Sequence, residues 1–215
     1  MISVICPVLN EERFIRAWCE NVTSFSDDIH VWDSGCTDRT IEIIKNYPQI
    51  QVHGNGRFHP EISTPYIWRE GEVRNRLIEF CKGDWIANLD ADELFGERVC
   101  QALPCLARTK KNFIRLLYLD FWYAPFLIRV RQFKRDWWRR FYPSYQTRFF
   151  RNNPDIRYAE KGNHAPLEWR GMGKFSVRLS CETWKHVPFH HYHHILNDKP
   201  GQNRANEVGL SGIKL

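Results

Sequence analysis

The sequence lacks any long apolar run, and no stretch approaches the ~20 residues that a membrane-spanning helix needs. The first residues, MISVICPVLNEE, carry neither a basic segment nor a small-residue cleavage site, so we expect no secretory signal. The seven cysteines include no C-x-x-C pair, which favours reduced thiols in a cytoplasmic protein. No Gly-rich phosphate loop follows the first predicted strand, and this disfavours a nucleotidyltransferase.

Positive charge is present but unevenly distributed. The formal net charge is +6, and most of the excess lies after residue 107. Basic and aromatic residues are mixed over 129–151, where the candidate polyanion-binding residues are Arg135, Trp137, Trp138, Arg139 and Arg140. Such a stretch could follow a nucleic-acid backbone while its aromatic side chains stack on bases, or it could contact anionic lipid headgroups at a membrane surface. Packing of the aromatic residues in a core is the default alternative.

Short apolar segments alternate with segments of helical periodicity over the first ninety residues. The predicted strands are 2–9, 29–32, 50–53 and 85–89. The predicted helices are 11–22, 38–47 and 68–81, and Asn10 is the expected N-cap of the first. Later strands are predicted at 113–123 and at 146–151, the second returning to the sheet. This alternation predicts an α/β fold with a mostly parallel sheet and helices on both faces.

Polar clusters follow three of these strands, at 10–12, 33–38 and 90–93. Ligands of parallel sheets bind beyond the carboxyl ends of the strands, so the three clusters indicate one site. In the third, GDWIANLDADEL, Asp90, Asp92 and Glu93 are crowded together and would repel one another without solvent or a cation between them. A hard divalent ion that also binds phosphates fits this pattern. An acidic turn without a ligand is the alternative.

Four motifs also carry a family resemblance: P-V-L-N-E-E, V-W-D-S-G-C-T-D-R-T, R-N and G-D-W-I-A-N-L-D-A-D-E. In this order and spacing they resemble the nucleotide-sugar-binding half of glycosyltransferase family 2, and look closest to small bacterial and phage members related to lipopolysaccharide-core glucosyltransferases. The resemblance implies a GT-A (Rossmann-like) fold with an irregular C-terminal acceptor-side extension. The expected parts are a donor half (1–95), a sheet-completing acceptor half (96–196) and a polar tail (197–215).

The resemblance implies a role for each matched position. The expected donor-binding residues are Pro7, Asn10, Glu12, Asp33, Arg74 and Asp90. Among them, Asp33 matches the acid that hydrogen-bonds the base, typically uracil, and Arg74 matches a residue near the diphosphate. From the residues alone, the alternative for Asp33 is an N-cap or turn acid, and the alternative for Arg74 is a helix-surface arginine.

A metal, Mn²⁺ or Mg²⁺, is implied as cofactor. Asp90 and Asp92 match the D-x-D motif whose ion bridges the two phosphates, and a histidine near the C-terminal end often completes the metal shell in GT-A enzymes. His191 and His193 are the candidates, because they alternate to one face if this segment is a strand. A histidine-only zinc site and plain surface histidines are the alternatives.

The general base of an inverting displacement is less clearly indicated. Glu160 and His164 are candidates for a catalytic role beside Asp92, and Glu160 is favoured. Relatives have V-H-E near this point, whereas this chain has N-H-A, so the base stays unassigned. A surface-loop role is the alternative for both residues.

The expected function is therefore that of a metal-dependent inverting glycosyltransferase, and the expected donor is a nucleotide-diphosphate sugar, UDP-linked by preference. The acceptor would be a hydroxyl of a saccharide or glycolipid, or of a hydroxymethylated DNA base made by a phage. The enzyme would act in the cytoplasm, at the membrane periphery or in a phage-infected cell. The alternative is a non-catalytic nucleotide- or nucleic-acid-binding module of the same fold.

Overall fold

The computed structural model describes residues 1–54, 70–122, 129–130, 133–135, 141–143, 145–159, 165–170, 177 and 180–191. The helices are Ile15–Thr23 (α1), Thr40–Ile44 (α2), Glu70–Phe80 (α3) and Glu97–Ala102 (α4), with a 3₁₀ helix at Leu103–Ala107. The first strands are Ile2–Val8 (β1), Asp28–Asp33 (β2), Ile50–His53 (β3), Trp85–Asn88 (β4), Glu93–Phe95 (β5), Phe113–Trp122 (β6) and Arg129–Val130 (β7). The later ones are Phe133–Arg135 (β8), Phe141–Pro143 (β9), Tyr145–Arg151 (β10), Ile156–Tyr158 (β11), Leu167–Trp169 (β12) and Cys181–His191 (β13).

One nine-stranded sheet runs through both halves of the described chain. Its order is β3-β2-β1-β4-β10-β6-β13-β5, and β7 pairs with β6. β1 to β4 are mutually parallel, and β6 and β13 run in their direction. β10, the predicted returning strand, lies antiparallel between β4 and β6. Two small hairpin-like pairs, β8–β9 and β11–β12, complete the described strands.

Alternate residues of the sheet pack on opposite layers, as the pleat requires. Val4 and Cys6 of β1 face a core that includes buried residues of α1, α2 and α4, whereas Ile5 faces a second core formed with α3 and β11. Fully burying side chains of this size contributes roughly 1.5–3 kcal/mol each. Helices therefore cover both faces, and the predicted α/β architecture is confirmed.

Two local features outside the site follow from the sequence. Pro104 lacks a backbone N–H, and at this point α4 gives way to the 3₁₀ helix. The seven cysteines form no disulfide.

None of the helices within the described residues is long and apolar enough to cross a bilayer. The predicted tail, 197–215, lies outside the described residues.

Candidate functional site

The three polar clusters lie at one edge of the sheet, the carboxyl edge of β1, β2 and β4. Val8 is in register with Asp33, and the Leu89 N–H donates to the Ile5 carbonyl. β2 and β4 flank β1, so their ends are about 10 Å apart across the sheet. The strand register therefore brings the three clusters to one edge of the sheet, as the sequence predicts.

The loops after β1 and β2 are tied together by side-chain hydrogen bonds. Asn10 has a φ of +56°, and its Oδ1 accepts from the Thr37 N–H at 2.8 Å. The Glu12 Oε2 accepts from the Arg39 N–H at 3.2 Å. The prediction that Asn10 caps a helix over 11–22 is wrong, because its left-handed backbone turns the chain towards the second loop and α1 begins only at Ile15. Pro7, one residue before the end of β1, is half-buried.

Asp33 ends β2 and holds the next turn. Its Oδ1 accepts from the Gly35 N–H at 2.9 Å and from the Cys36 N–H at 2.8 Å. Gly35 has a φ of +107°, which glycine adopts without strain. This turn holds the carboxylate at the edge of the sheet. Burial raises the pKa of the Cys36 thiol to about 12, which keeps it protonated near neutral pH.

Arg74 of α3 is the centre of a buried network beside β4. Its Nη2 donates to the Asp90 Oδ1 at 2.6 Å, its Nε donates to the Glu70 Oε1 at 2.9 Å, and its Nη1 donates to the Asn88 Oδ1. The guanidinium also lies over the Tyr158 ring, 5.6 Å from the centroid. Arg74 is 4% exposed, so the alternative prediction of a helix-surface arginine is wrong.

The charge of Arg74 controls the ionisation of Asp90. Burial by itself would raise the pKa of Asp90, but the positive charges of Arg74 and Arg148 and the hydrogen bond from Arg74 outweigh it, and the pKa is lowered. Conversely, the surrounding anionic groups raise the pKa of Arg74 against the effect of burial. Asp90 is therefore a carboxylate with one oxygen occupied by a fixed cation.

Asp92 is paired with a histidine from the far end of the described chain. Its Oδ2 lies 3.3 Å from the His191 Nε2, and the His191 Nδ1 lies 2.7 Å from the Tyr118 hydroxyl. The pairing arises because β13 runs antiparallel to β5, with His191 opposite Glu93. Of the two histidines predicted from alternation, His191 reaches Asp92, and His193 lies outside the described residues.

A divalent ion is compatible with these donors. Asp92 supplies carboxylate oxygen and His191 an imidazole nitrogen, while Tyr118 orients the ring through its other nitrogen. The described residues contain no group of three or more His, Cys, Asp or Glu side chains arranged to hold an ion. Mg²⁺ is often bound by only one or two carboxylates together with waters and substrate phosphates, so this donor set fits an ion that arrives with a diphosphate.

Glu93 and Arg148 form a second buried ion pair that sequence reasoning missed. Glu93 is 2% exposed, and its Oε1 accepts from the Arg148 Nη2. Burial raises the pKa of Glu93 to about 7, although Arg148 acts in the opposite direction. The β10–β6 register shifts between Thr147 and Phe149, so Arg148 is the extra residue of a bulge. The basic QTRFFR strand was visible in the sequence, but the bulge that aims Arg148 was not.

A cavity of about 390 Å³ lies on the α3 face of the sheet, next to Asp90. Residues of six elements line it, among them Arg74, Arg115, Tyr145, Arg148, Tyr158 and Leu167. Neither Asp33 nor Asp92 is among its lining residues. The cavity therefore extends from Asp90 towards β10 and β6, away from the β2 end where Asp33 lies.

The remaining predicted site residues have no described side chain. Glu160, His164, Trp137, Trp138, Arg139 and Arg140 lie outside the described residues. Arg135 belongs to β8, of which only the backbone is described.

The sheet order, the covered faces and the carboxylates at one edge are those of a GT-A-type α/β protein. The sequence profile described as glycosyl transferase family 2 matches residues 3–159, and the chain belongs to this family. The glycosyltransferase SunS from the SPbeta prophage of Bacillus subtilis is 24% identical over 216 residues, covering 99% of this chain and 44% of SunS. An uncharacterized protein of Mycobacterium tuberculosis is 35% identical over 112 residues, covering 50% of this chain and 27% of that protein.

The solved structures agree on the fold. S. aureus TarS (residues 1–349), crystallised in complex with UDP-GlcNAc, superposes with a TM-score of 0.56 at 15% identity, covering 100% of this chain and 61% of that one. The GT-A fold inferred from the motifs is thus confirmed. The chain spans less than half the length of the curated relatives named above.

Proposed function

We propose that this chain is a metal-dependent inverting glycosyltransferase that moves a sugar from a UDP-sugar to an acceptor hydroxyl. The observation that carries the proposal is the Asp92–His191 pair, 3.3 Å apart, beside the Asp90–Arg74 pair in a family 2 chain. Together they offer oxygen and nitrogen ligands for an ion and a cation for phosphate at one edge of the sheet.

The donor would bind across the carboxyl edge. Asp33 can accept the imide N–H of uracil, which favours UDP as the nucleotide. The diphosphate would then lie before Arg74, Asp90 and Asp92, about 10 Å further along the edge. Arg74 is held rigidly by Glu70, Asn88 and Asp90, so its one remaining Nη1–H costs little entropy to align with phosphate. That TarS was crystallised with UDP-GlcNAc is consistent with this choice of donor class.

Asp92 and His191 would hold the ion, with Asp90 beside them. A bound Mn²⁺ or Mg²⁺ supplies Lewis-acid neutralisation of the charge that develops on the leaving diphosphate. Tyr118 fixes the orientation of His191 through the 2.7 Å contact with Nδ1. Arg148 neutralises Glu93, so the strand that follows the D-x-D motif brings no uncompensated negative charge to the site.

The acceptor would enter the cavity on the α3 face. The cavity lies beside Asp90, and this position suits the transferred sugar and the attacking hydroxyl, because both lie beyond the diphosphate in an in-line displacement. Both acceptor classes, a saccharide or glycolipid and a hydroxymethylated DNA base, stay part of the proposal, because the residues that would favour DNA, 135–140, contribute no described side chain. Glu160 and His164 stay candidates for the base, and a cytoplasmic location stays part of the proposal.

The test is metal-stimulated hydrolysis and transfer from UDP-glucose and UDP-GlcNAc. Asp92→Asn should lower turnover by about 100-fold or more, the equivalent of roughly 3 kcal/mol of transition-state stabilisation. Asp84→Asn is the matched control, because Asp84 is an exposed acid just before β4, at the opposite edge of the sheet, and should leave turnover unchanged. Undiminished metal-stimulated turnover in Asp92→Asn would reject the proposal.

A non-catalytic module gives a different result. Such a protein would be stabilised by UDP and Mn²⁺ in a thermal-shift assay but would hydrolyse no UDP-sugar. The same screen, run over several nucleotide sugars, identifies the donor, because a ligand that binds only the native state raises its melting temperature.

A further inference from the structure

We propose that Arg115 forms an anion-binding subsite in the cavity, and that the acceptor is a saccharide carrying a phosphate or a carboxylate. This inference deepens the proposed function and rests on it. The supporting observation is that three arginines line the cavity, and only two of them are paired with a carboxylate.

Two of these arginines are paired with carboxylates. Arg74 binds Glu70 and Asp90, the two acids that line the cavity, and Arg148 binds Glu93. Arg115 differs from both. Among the residues that the structure describes, its guanidinium has no carboxylate partner, and its Nη2 donates to the Tyr145 carbonyl at 2.7 Å.

The Arg115 side chain is presented to the cavity by a rigid support. It stands on β6, between Thr147 of β10 and Thr183 of β13 in the ladder. Its guanidinium lies over the Tyr145 ring, 6.0 Å from the centroid. One hydrogen bond to a carbonyl occupies one of its five N–H donors, so a fork remains for a phosphate or a carboxylate.

A second arginine of the cavity lining also has an unused donor. The Nε–H of Arg148 is buried without a hydrogen-bond partner in the described part of the chain, which adds to the positive character of this lining. Leu167 and Val177 supply apolar walls, and low-dielectric walls strengthen the attraction for an anion.

The subsite is separate from the diphosphate position. β4, which leads to Asp90, and β6, which carries Arg115, flank β10, so they lie about 10 Å apart. An anion on Arg115 would therefore belong to a group beyond the transferred sugar, which is where the acceptor lies. A charged donor sugar is the competing source and is separated by experiment.

The probe is inorganic phosphate, titrated calorimetrically into the protein saturated with UDP and Mg²⁺. Arg115→Gln should weaken phosphate binding about tenfold or more, the usual effect of losing a charge-assisted hydrogen bond. Arg115→Lys keeps the charge and should lose less. Arg108→Gln is the control, because Arg108 is exposed and does not line the cavity. The Arg108→Gln variant should bind phosphate as tightly as the unaltered protein.

Three results would overturn the inference: no phosphate binding once UDP is bound, equal phosphate affinity in Arg115→Gln and the unaltered protein, or an Arg115→Gln variant that selectively loses UDP-glucuronate relative to UDP-glucose. The last would assign the anion to the donor sugar. UDP affinity should be unchanged in Arg115→Gln, which reports that the fold is intact. The titration needs no turnover, so its failure is distinct from the failure of Asp92→Asn to lose activity.

Discussion

Replacing Arg74 by methionine tests the buried network most directly. Methionine keeps most of the aliphatic stem but removes the guanidinium that binds Glu70, Asn88 and Asp90. The carboxylate of Asp90 is then left at the edge of the sheet without its cation. The expected effects are a less stable fold and a weaker donor complex.

The size of the effect follows from burial. Arg74 is 4% exposed, and removing one partner of a fully buried ion pair costs about 3–5 kcal/mol. The Asp90 side chain is 37% exposed, so water can partly solvate its charge and the cost should be lower, about 2–4 kcal/mol. For a chain of about this length, 1 kcal/mol changes the melting temperature by about 2–4 °C, so the melting temperature of Arg74→Met should fall by about 4–16 °C at pH 7.

Arg76 provides a control on the same helix. It pairs with Glu79 at 3.7 Å, and both side chains are 57% exposed. Exposed pairs of this spacing are worth less than about 0.5 kcal/mol, so Arg76→Met should shift the melting temperature by less than about 2 °C. Both variants are measured by thermal and urea denaturation at pH 7.

Adding a second substitution tests the cause of the loss. Arg74→Met with Asp90→Asn removes the stranded charge, and the double variant should recover about 1 kcal/mol or more relative to Arg74→Met alone. If Arg74→Met and Arg76→Met were equally stable, or if the double variant recovered nothing, the assignment of the network as a desolvated ion pair would be refuted.

Three further predictions are checked by denaturation. Asn21→Ala should cost about 2–4 kcal/mol, because the buried Asn21 amide donates to the Phe95 carbonyl and accepts from the Phe95 N–H at the end of β5; a loss under 1 kcal/mol would contradict this. Gly71→Ala should cost about 1–3 kcal/mol, since a Cβ there would collide with the Ala159 carbonyl oxygen, and a neutral result would show that α3 can shift. Burial lowers the pKa of His30, so at this residue the folded state binds fewer protons than the unfolded state, and the contribution of His30 to stability should fall as the pH drops below about 6.5. The stability difference between the unaltered protein and His30→Gln, measured from pH 8 to pH 5, isolates this contribution from that of Glu93, which has the opposite sign.

The alternation of strands and helices, and the edge where polar residues gather, could be predicted from the sequence. Both depend on local periodicity, which 85–89 and its neighbours display clearly, and on the rule that parallel strands share an edge. The returning strand was also predictable, because QTRFFR is a short apolar-basic run that matches β10.

The partnerships within the site were not predictable. Asp92 meets His191 only because β13 pairs antiparallel with β5, a contact between residues about a hundred positions apart. Arg148 reaches Glu93 through a bulge, and a bulge leaves no residue signature here. Asn10 is a good helix cap by residue type, yet its hydrogen bonds to the neighbouring loop prevailed over that local preference.

The insertion of β10 between β4 and β6 has a consequence for how the polypeptide is made. When the first hundred residues emerge from a ribosome, β4 still exposes a full row of unpaired amide and carbonyl groups, because its neighbour has yet to be synthesised. A nascent chain stalled at this stage would be prone to aggregation. Cutting the gene shortly after Asp92 would, for the same reason, yield an insoluble fragment.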